Sequence, residues 1–343
     1  MQRFELEELE RATDNFSSSR LVGRGSHGSV YRGLLDNGTP AAIKTQSPAL
    51  TSLRDHTKID NEAAILSSLP ADDPHLVGFL GTSVDPLSNT ILVTRYMPNG
   101  TLHDLLHSSP DPPSWEKRAE IALRVARGLR TLHEAGVAHR DIKPANILFD
   151  GAWGARLADF GLASGAPAGG PALPAGTIGY MDPAYTSPGG LTRKVDVYSY
   201  GVVLMELISG RRAMDMGRSP PSVAEWAPPL IGRGRIGEVC DGRVRVPAHM
   251  GRAVGRMLRL AARCVAKREG DRPEMSEVVG ELEGLTVGMV HRPVGPTNSL
   301  RGVIVKMMGL KKCRVDNGRD GKSGGVKKGT LLVREILADI TFK

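Results

Sequence analysis

The residues of this chain that could do chemistry sit in two short stretches. In His139-Arg140-Asp141-Ile142-Lys143-Pro144-Ala145-Asn146 a carboxylate is followed five residues later by an amide, and Asp159-Phe160-Gly161 sets a second carboxylate thirteen residues further on. Asp141 is a candidate base, while Asn146 and Asp159 are hard oxygen ligands of the kind that Mg²⁺ takes. Lys143, between them, can neutralise a phosphoryl group in transfer. Chance does not readily place both stretches in this order, downstream of the glycine-rich loop described next.

Gly23-Arg24-Gly25-Ser26-His27-Gly28-Ser29-Val30 fits G-x-G-x-x-G-x-V. Glycines let backbone N–H groups approach phosphate oxygens where any Cβ would collide. A glycine-rich hairpin alone is equally well plain turn chemistry. A dinucleotide site would need a helix straight after the glycines and a later acid for the ribose, whereas the strand-like Val30-Tyr31-Arg32-Gly33 follows here. Sixteen residues beyond Gly28, Ala41-Ala42-Ile43-Lys44 ends an apolar run on a lysine. Such a lysine is costly to bury unless paired, and Glu62 is its natural partner. Alone it would read as a solvated strand-edge lysine; its spacing from the glycine loop favours the paired reading.

The elements that must position these groups follow from patterning. Leu6, Leu9 and Ala12 lie at helical spacing within residues 4–16. Short strand-like runs follow at Leu21-Val22, Ser29-Val30-Tyr31, Ala41-Ala42-Ile43 and Thr90 to Thr94, with Asp36-Asn37-Gly38 as a hairpin turn between two of them. One helix, Thr57 to Leu69, interrupts the strands. After Asn99-Gly100 the period becomes helical, over Trp115 to Glu134, Val195 to Ile208, Val254 to Val265 and Met275 to Leu285. The expected class is α+β: a small β-rich lobe with one main helix, joined near Met97 to Gly100 to a larger helical lobe. The domain reading is an N-terminal segment 1–17, a body 18–285 divided near residue 97, and a tail 286–343.

Composition excludes several classes. The chain has 343 residues and a formal net charge of +8. Twelve basic and four acidic residues lie from Thr286 to Lys343, so the body before them balances at 33 and 33. Aromatics are 4%, too few for stacking platforms on single-stranded nucleic acid, and no nucleic-acid partner is expected. Cys240, Cys264 and Cys313 have no metal-ligand spacing and cannot all pair, which suits a reducing compartment. No apolar run reaches the 18 or so residues of a membrane span, and Gln2 excludes myristoylation of the chain as it stands. A cytoplasmic location is expected, peripheral to the plasma membrane if receptors or lipids recruit the chain.

With these motifs in place, the sequence resembles the eukaryotic protein kinases. FELEELERATDNF, YMPNGTL, DVYSYGVVLMELISG and DRPEM resemble plant receptor-like Ser/Thr kinases and their receptor-like cytoplasmic relatives, and GRGSHGSVYRG points towards the Crinkly-type branch. The resemblance covers about residues 4 to 285 and implies a bilobal kinase fold with ATP and Mg²⁺. It implies that Gly23, Gly25 and Gly28 cover the ATP phosphates, that Val30 packs on adenine, and that Lys44, fixed by Glu62, holds the α/β-phosphates. Tyr96 and Met97 would form the hinge that reads adenine. Asp141 would act as base, Lys143 would contact the γ-phosphate, and Asn146 and Asp159 would hold Mg²⁺. Structural or regulatory roles fall to His139 packing under Phe160, to Arg140, Gly161, Thr177 and Arg272, and to Asp196 anchoring the catalytic loop. Protein substrates are implied, with membrane receptor kinases as partners.

Three departures stand out. The family's Pro-Glu after the activation segment reads Pro183-Ala184 here. That Glu normally pairs with a buried Arg, matched by Arg272, which is therefore expected to be partly solvated or to find backbone carbonyls. Thr94 takes a Tyr position behind the adenine pocket, and Arg95 replaces a Glu. Between Asp159 and Thr177 the single hydroxyl is Ser164, so Arg140 has no phosphate to clasp between Gly165 and Gly176 and the loop is not expected to be switched by phosphorylation there. These features motivate an alternative, a catalytically weak pseudokinase or scaffold beside a receptor kinase. Residues 301–315 interleave Val303, Ile304, Met307 and Met308 with Lys306, Lys311, Lys312 and Arg314. As a basic amphipathic helix they could contact an anionic membrane or calmodulin; the competing reading is a disordered, solvated extension.

Overall fold

A computed structural model describes residues 2–25, 28–46, 56–165, 173–185 and 191–290. The chain begins β1 (Gln2–Arg3), α1 (Leu6–Thr13), β2 (Leu21–Gly25), β3 (Gly28–Leu34), β4 (Pro40–Thr45), α2 (His56–Ser68), β5 (Phe79–Val84) and β6 (Thr90–Arg95). The six strands form one sheet in the order β1-β5-β6-β4-β3-β2. Its pairs are antiparallel except β1 with β5. The β3–β4 turn forms as its residues dictate: Gly38 takes φ 79° and the Asn37 side chain accepts the Thr39 N–H at 2.9 Å.

Residues 4–16, part of the expected segment 1–17, pack onto this lobe. Phe4, Leu9 and Ala12 share a core with Leu35, Ala41, Ile43, Ile91 and Val93. Burying Leu9 alone stabilises the contact by about 2 kcal/mol, enough to hold a two-turn helix that would not persist alone. β1 reaches the sheet edge because Gly81 faces it, where a Cβ would lie 2.1 Å from the Gln2 carbonyl oxygen. β5 was invisible to hydrophobic patterning because its buried positions are Gly81 and Ser83.

The second lobe runs α3 (Leu102–His107), α4 (Trp115–Glu134), β7 (Val137–Ala138), β8 (Ile147–Phe149), β9 (Ala155–Leu157), β10 (Ser164–Gly165), α5 (Lys194–Ser209), α6 (Val223–Gly232), α7 (Ile236–Val239), α8 (Gly251–Cys264) and α9 (Met275–Val290). Two-stranded ladders join β7 to β10 and β8 to β9. Ser114 caps α4 by accepting the Lys117 N–H. α5 is buried from Val195 to Ile208, so the other helices pack around it. The larger core continues across the lobe junction through Ile59, Leu66, Leu76, Leu92 and Met97. That continuity seats α2 against the loops carrying the candidate chemistry. α9 runs five residues beyond the expected body boundary at 285, and residues 291–343, including the 301–315 stretch, lie outside the described residues. No described helix is long and apolar enough to cross a membrane.

Candidate active site

Lys44 sits on β4, opposite Val30 of β3 and Leu92 of β6. Its Nζ donates to Glu62 Oε2 at 2.8 Å and Asp159 Oδ1 at 3.0 Å. Burial works against the ammonium, but the Asp159 and Glu62 carboxylates outweigh it and push Lys44 above its ordinary value, so it stays cationic. One cation thus ties the sheet, α2 and the loop after β9 together.

The peptide of Phe160 is gripped from both sides by consecutive residues of α2. Glu62 Oε1 accepts the Phe160 N–H at 3.2 Å, while Asn61 Nδ2 lies 3.3 Å from the Phe160 carbonyl, 3.2 Å from that of Gly161 and 2.8 Å from that of Ala163. Sequence reasoning missed Asn61; its only signal was adjacency to Glu62. Asp159 itself adopts φ 64°, a left-handed conformation uncommon for a non-glycine residue and held here by these bonds.

Below the cleft, Asp141 is the centre of a compact polar cluster. Its Oδ1 accepts the Thr177 hydroxyl at 2.6 Å, and its Oδ2 lies 2.9 Å from Lys143 Nζ and 3.1 Å from Asn146 Nδ2. Lys143 Nζ also donates to Thr177 Oγ1 at 2.8 Å. Asn146 spends its amide N–H groups on the Asp141 carboxylate and backbone carbonyl, which orients its oxygen away from them. Asp196, fully buried at the start of α5, accepts the N–H groups of His139 and Arg140 at 2.8 Å each and His133 Nε2 at 3.0 Å. Burial would raise this carboxyl, but the His133 bond and the loop donors outweigh it and hold Asp196 below the usual range. The two backbone bonds also hold Arg140 at φ 70°. His139 is buried, packs on Phe160 with ring centroids 5.0 Å apart and bonds the Ala158 carbonyl through Nε2 at 3.1 Å. These contacts are those of a packing residue.

Arg140 has other partners in place of a phosphate. Its guanidinium donates to the Leu162 carbonyl at 3.2 Å, to the Tyr185 hydroxyl at 3.1 Å and to the Leu173 carbonyl. Tyr185 is buried and its hydroxyl donates to the same Leu173 carbonyl at 3.0 Å.

Of the two outcomes expected for Arg272, solvation or backbone carbonyls, the second holds, and a carboxylate joins it. Arg272 and Asp182 are both 3% exposed, and the guanidinium forks onto the carboxylate through Nη1 and through Nη2 at 2.9 Å. It also donates to the Ala266 carbonyl at 2.9 Å and the Lys194 carbonyl at 3.2 Å, as expected, and lies 5.1 Å over the Tyr198 ring. The missing acid at position 184 is replaced from two residues upstream.

The remaining candidate residues lie around the cleft. Gly23 and Gly25 are on β2 and Gly28 on β3, with Ser26 and His27 outside the described residues. Of these glycines, Gly28 is sterically required, since a Cβ there would lie 2.0 Å from the Thr45 carbonyl oxygen, whereas Gly23 faces open space. Tyr96 and Met97 follow β6 at the lobe junction, where Met97 is buried and the Tyr96 N–H donates to the Pro40 carbonyl at 3.2 Å. Gly161 passes α2 at ordinary van der Waals distance, with a would-be Cβ 3.5 Å from Lys58. Away from the site, Cys264 is fully buried and its thiol is pushed up to about 12 by that burial, the property of an unreactive thiol.

The family model described as "Protein kinase domain" matches residues 16–280. A serine/threonine-protein kinase-like protein of Arabidopsis thaliana is 46% identical over 332 residues, covering 91% of this chain and 94% of its own. The Arabidopsis serine/threonine-protein kinase-like protein CCR4 is 39% identical over 87% of this chain and 42% of its own length. An EPD1-interacting receptor-like cytoplasmic serine/threonine-protein kinase of Gossypium barbadense is 38% identical over 82% of this chain and 64% of its own.

Proposed function

The chain belongs to the protein kinase family, among the plant receptor-like Ser/Thr kinases, and from that membership we propose how its own residues transfer the γ-phosphoryl of ATP to protein hydroxyls. The observation that carries the assignment of roles is the cluster at Asp141. The Thr177 hydroxyl donates to Asp141 and accepts from Lys143, which are the contacts a substrate Ser or Thr hydroxyl needs at the moment of attack. Asp141 orients that hydroxyl and accepts its proton. Lys143 stands where negative charge builds on the phosphoryl group. Lys44, fixed by Glu62 and kept cationic, holds the α/β-phosphates, beneath the backbone of Gly23, Gly25 and Gly28. Val30 and the hinge residues Tyr96 and Met97 enclose the adenine.

The donor set fits Mg²⁺. Asp159 supplies a carboxylate, and Asn146 supplies an amide oxygen whose orientation is set by its two N–H bonds to Asp141. Held by Asp159 and Asn146, Mg²⁺ would supply neutralisation of the phosphate charge. Asp196 fixes the loop on which Asp141, Lys143 and Asn146 ride, and Phe160 and Gly161 place Asp159 opposite them.

Protein partners follow from the segment Thr177–Tyr185, read as the docking surface for a polypeptide acceptor, and the receptor-like relatives support a place beside receptor kinases. The basic stretch 301–315 is proposed to contact anionic membrane. Its test is sedimentation with anionic liposomes, and a chain truncated after residue 290 that binds equally well excludes the role. The scaffold alternative rests on Ala184 and the loop without phosphoacceptors, and the pairing of Arg272 with Asp182 weakens the first of these grounds. γ-labelled ATP with the full chain should give autophosphorylation that Asp159→Ala abolishes. A wild-type chain that incorporates no label, or a variant that labels equally, overturns the assignment.

A further inference from the structure

The segment that leads away from Asp141 is pinned to the helical lobe at successive points. Thr177 bonds Asp141 and Lys143, and its carbonyl accepts the N–H groups of Tyr180 and Met181 at 3.0 Å each. The Tyr180 carbonyl accepts the Ser199 hydroxyl at 2.7 Å, and the Tyr180 hydroxyl donates to buried Glu206 at 2.6 Å. Tyr185 ends the segment on Arg140. Between them lies the segment's one ion pair among the described residues, Asp182 on Arg272.

Arg272 is where several elements meet. It bonds the carbonyl of Lys194 at the start of α5 and that of Ala266 just after α8, it covers Tyr198 of α5, and its own carbonyl accepts Lys194 Nζ at 2.7 Å. Asp182 brings the segment to this junction. Its Oδ1 also accepts the Ala184 N–H at 2.9 Å, a turn that leaves Asp182 buried and Ala184 exposed. An acid at 182 therefore faces the guanidinium, whereas one at 184 would face solvent.

We propose that Asp182 is the positioning residue of the acceptor platform: through Arg272 it holds Thr177–Tyr185 against α5 and α8, so that a docked polypeptide presents its hydroxyl in register with Asp141. This rests on the reading of that segment as the docking surface. The ion pair ties the segment to Lys194 of α5 and to Ala266, in the helical lobe, whereas Lys44 and Glu62 belong to β4 and α2. Loosening it disturbs the protein acceptor and leaves the nucleotide side in place.

The test uses the full chain with γ-labelled ATP and myelin basic protein as the probe acceptor. Asp182→Asn keeps the shape and removes the charge; Arg272→Lys keeps the charge and removes the fork, and supplies the measurement if the first variant does not fold. Both should raise the KM for the acceptor about tenfold or more, with the KM for ATP and the slow hydrolysis of ATP without acceptor within about twofold of wild type. An unchanged acceptor KM in both Asp182→Asn and Arg272→Lys overturns the proposal. So does an equal loss of hydrolysis and transfer at constant KM, because that marks fewer folded molecules. A wild-type chain that transfers nothing refutes the kinase roles themselves, a different result from any of these.

Discussion

Asn61 offers the sharpest check on how the nucleotide side is held. Asn61→Asp is nearly isosteric yet removes both amide protons and turns a carboxylate towards the carbonyls of Phe160, Gly161 and Ala163. Asn61→Ala removes the contact altogether. Two protons serve three carbonyls at 2.8 to 3.3 Å, so two bonds' worth of interaction is lost. At about 0.5–1.5 kcal/mol net for each bond, the docked loop loses about 1–3 kcal/mol relative to a released one. That shifts the balance between the two arrangements by about 5- to 150-fold. Asp159 rides on this loop, so the loss should appear as a lower kcat/KM for ATP that rising Mg²⁺ partly restores. The melting temperature should fall by about 2–12 °C, at roughly 2–4 °C per kcal/mol for a body of this size. Asp should be worse than Ala, because like partial charges then face each other. Variants with wild-type Mg²⁺ dependence and wild-type melting would refute the latch, and Ala falling below Asp would refute the electrostatic part.

Asp141→Asn should cut turnover by about 10²–10⁴ if the carboxylate works as a base, and wild-type rates would exclude that role. Because Arg140 is already bonded by Leu162, Leu173 and Tyr185, phosphatase-treated protein should keep its activity; loss on treatment, regained with a phosphate at Ser164 or Thr177, would contradict it. Asp241 bears on acid stability. Burial raises its carboxyl, but the bonds from Arg243 and Arg118 outweigh this and bring it from 3.8 to about 2. Its contribution, of order 1–2 kcal/mol after solvent screening, is present above pH 3.8 and lost as pH falls towards 2. Acid unfolding followed by circular dichroism should therefore separate wild type from Asp241→Asn near neutrality and merge the two curves below about pH 2; a constant gap down to that pH would argue against it.

The candidate site was legible to the extent that its chemistry is carried by unusual residue types at close spacing. Asp141, Lys143 and Asn146 lie within one short loop, and their contacts follow from local geometry as much as from the fold. Lys44 with Glu62 could be inferred because an apolar strand that ends on a lysine demands a counter-charge. The main helices were legible for a similar reason, since their apolar periods are long. β5 was not, because glycine and serine fill its buried positions. Nor was the attachment of α1 to the sheet, which depends on Phe4 and Leu9 meeting residues from β4 and β6.

The choice of candidate catalytic groups, the lobe order and the want of a phosphoacceptor from Gly165 to Gly176 came from the sequence alone, because each is a matter of residue type and short separation. Which groups satisfy Arg140, Arg272 and the Phe160 peptide was decided by the tertiary structure. A buried guanidinium or peptide must be bonded, but any nearby acceptor or donor will serve. Only the packing of α2 on the Asp159 loop, and of the 173–185 segment on α5, Arg140 and Arg272, brought Asn61, Leu173 and Asp182 within reach.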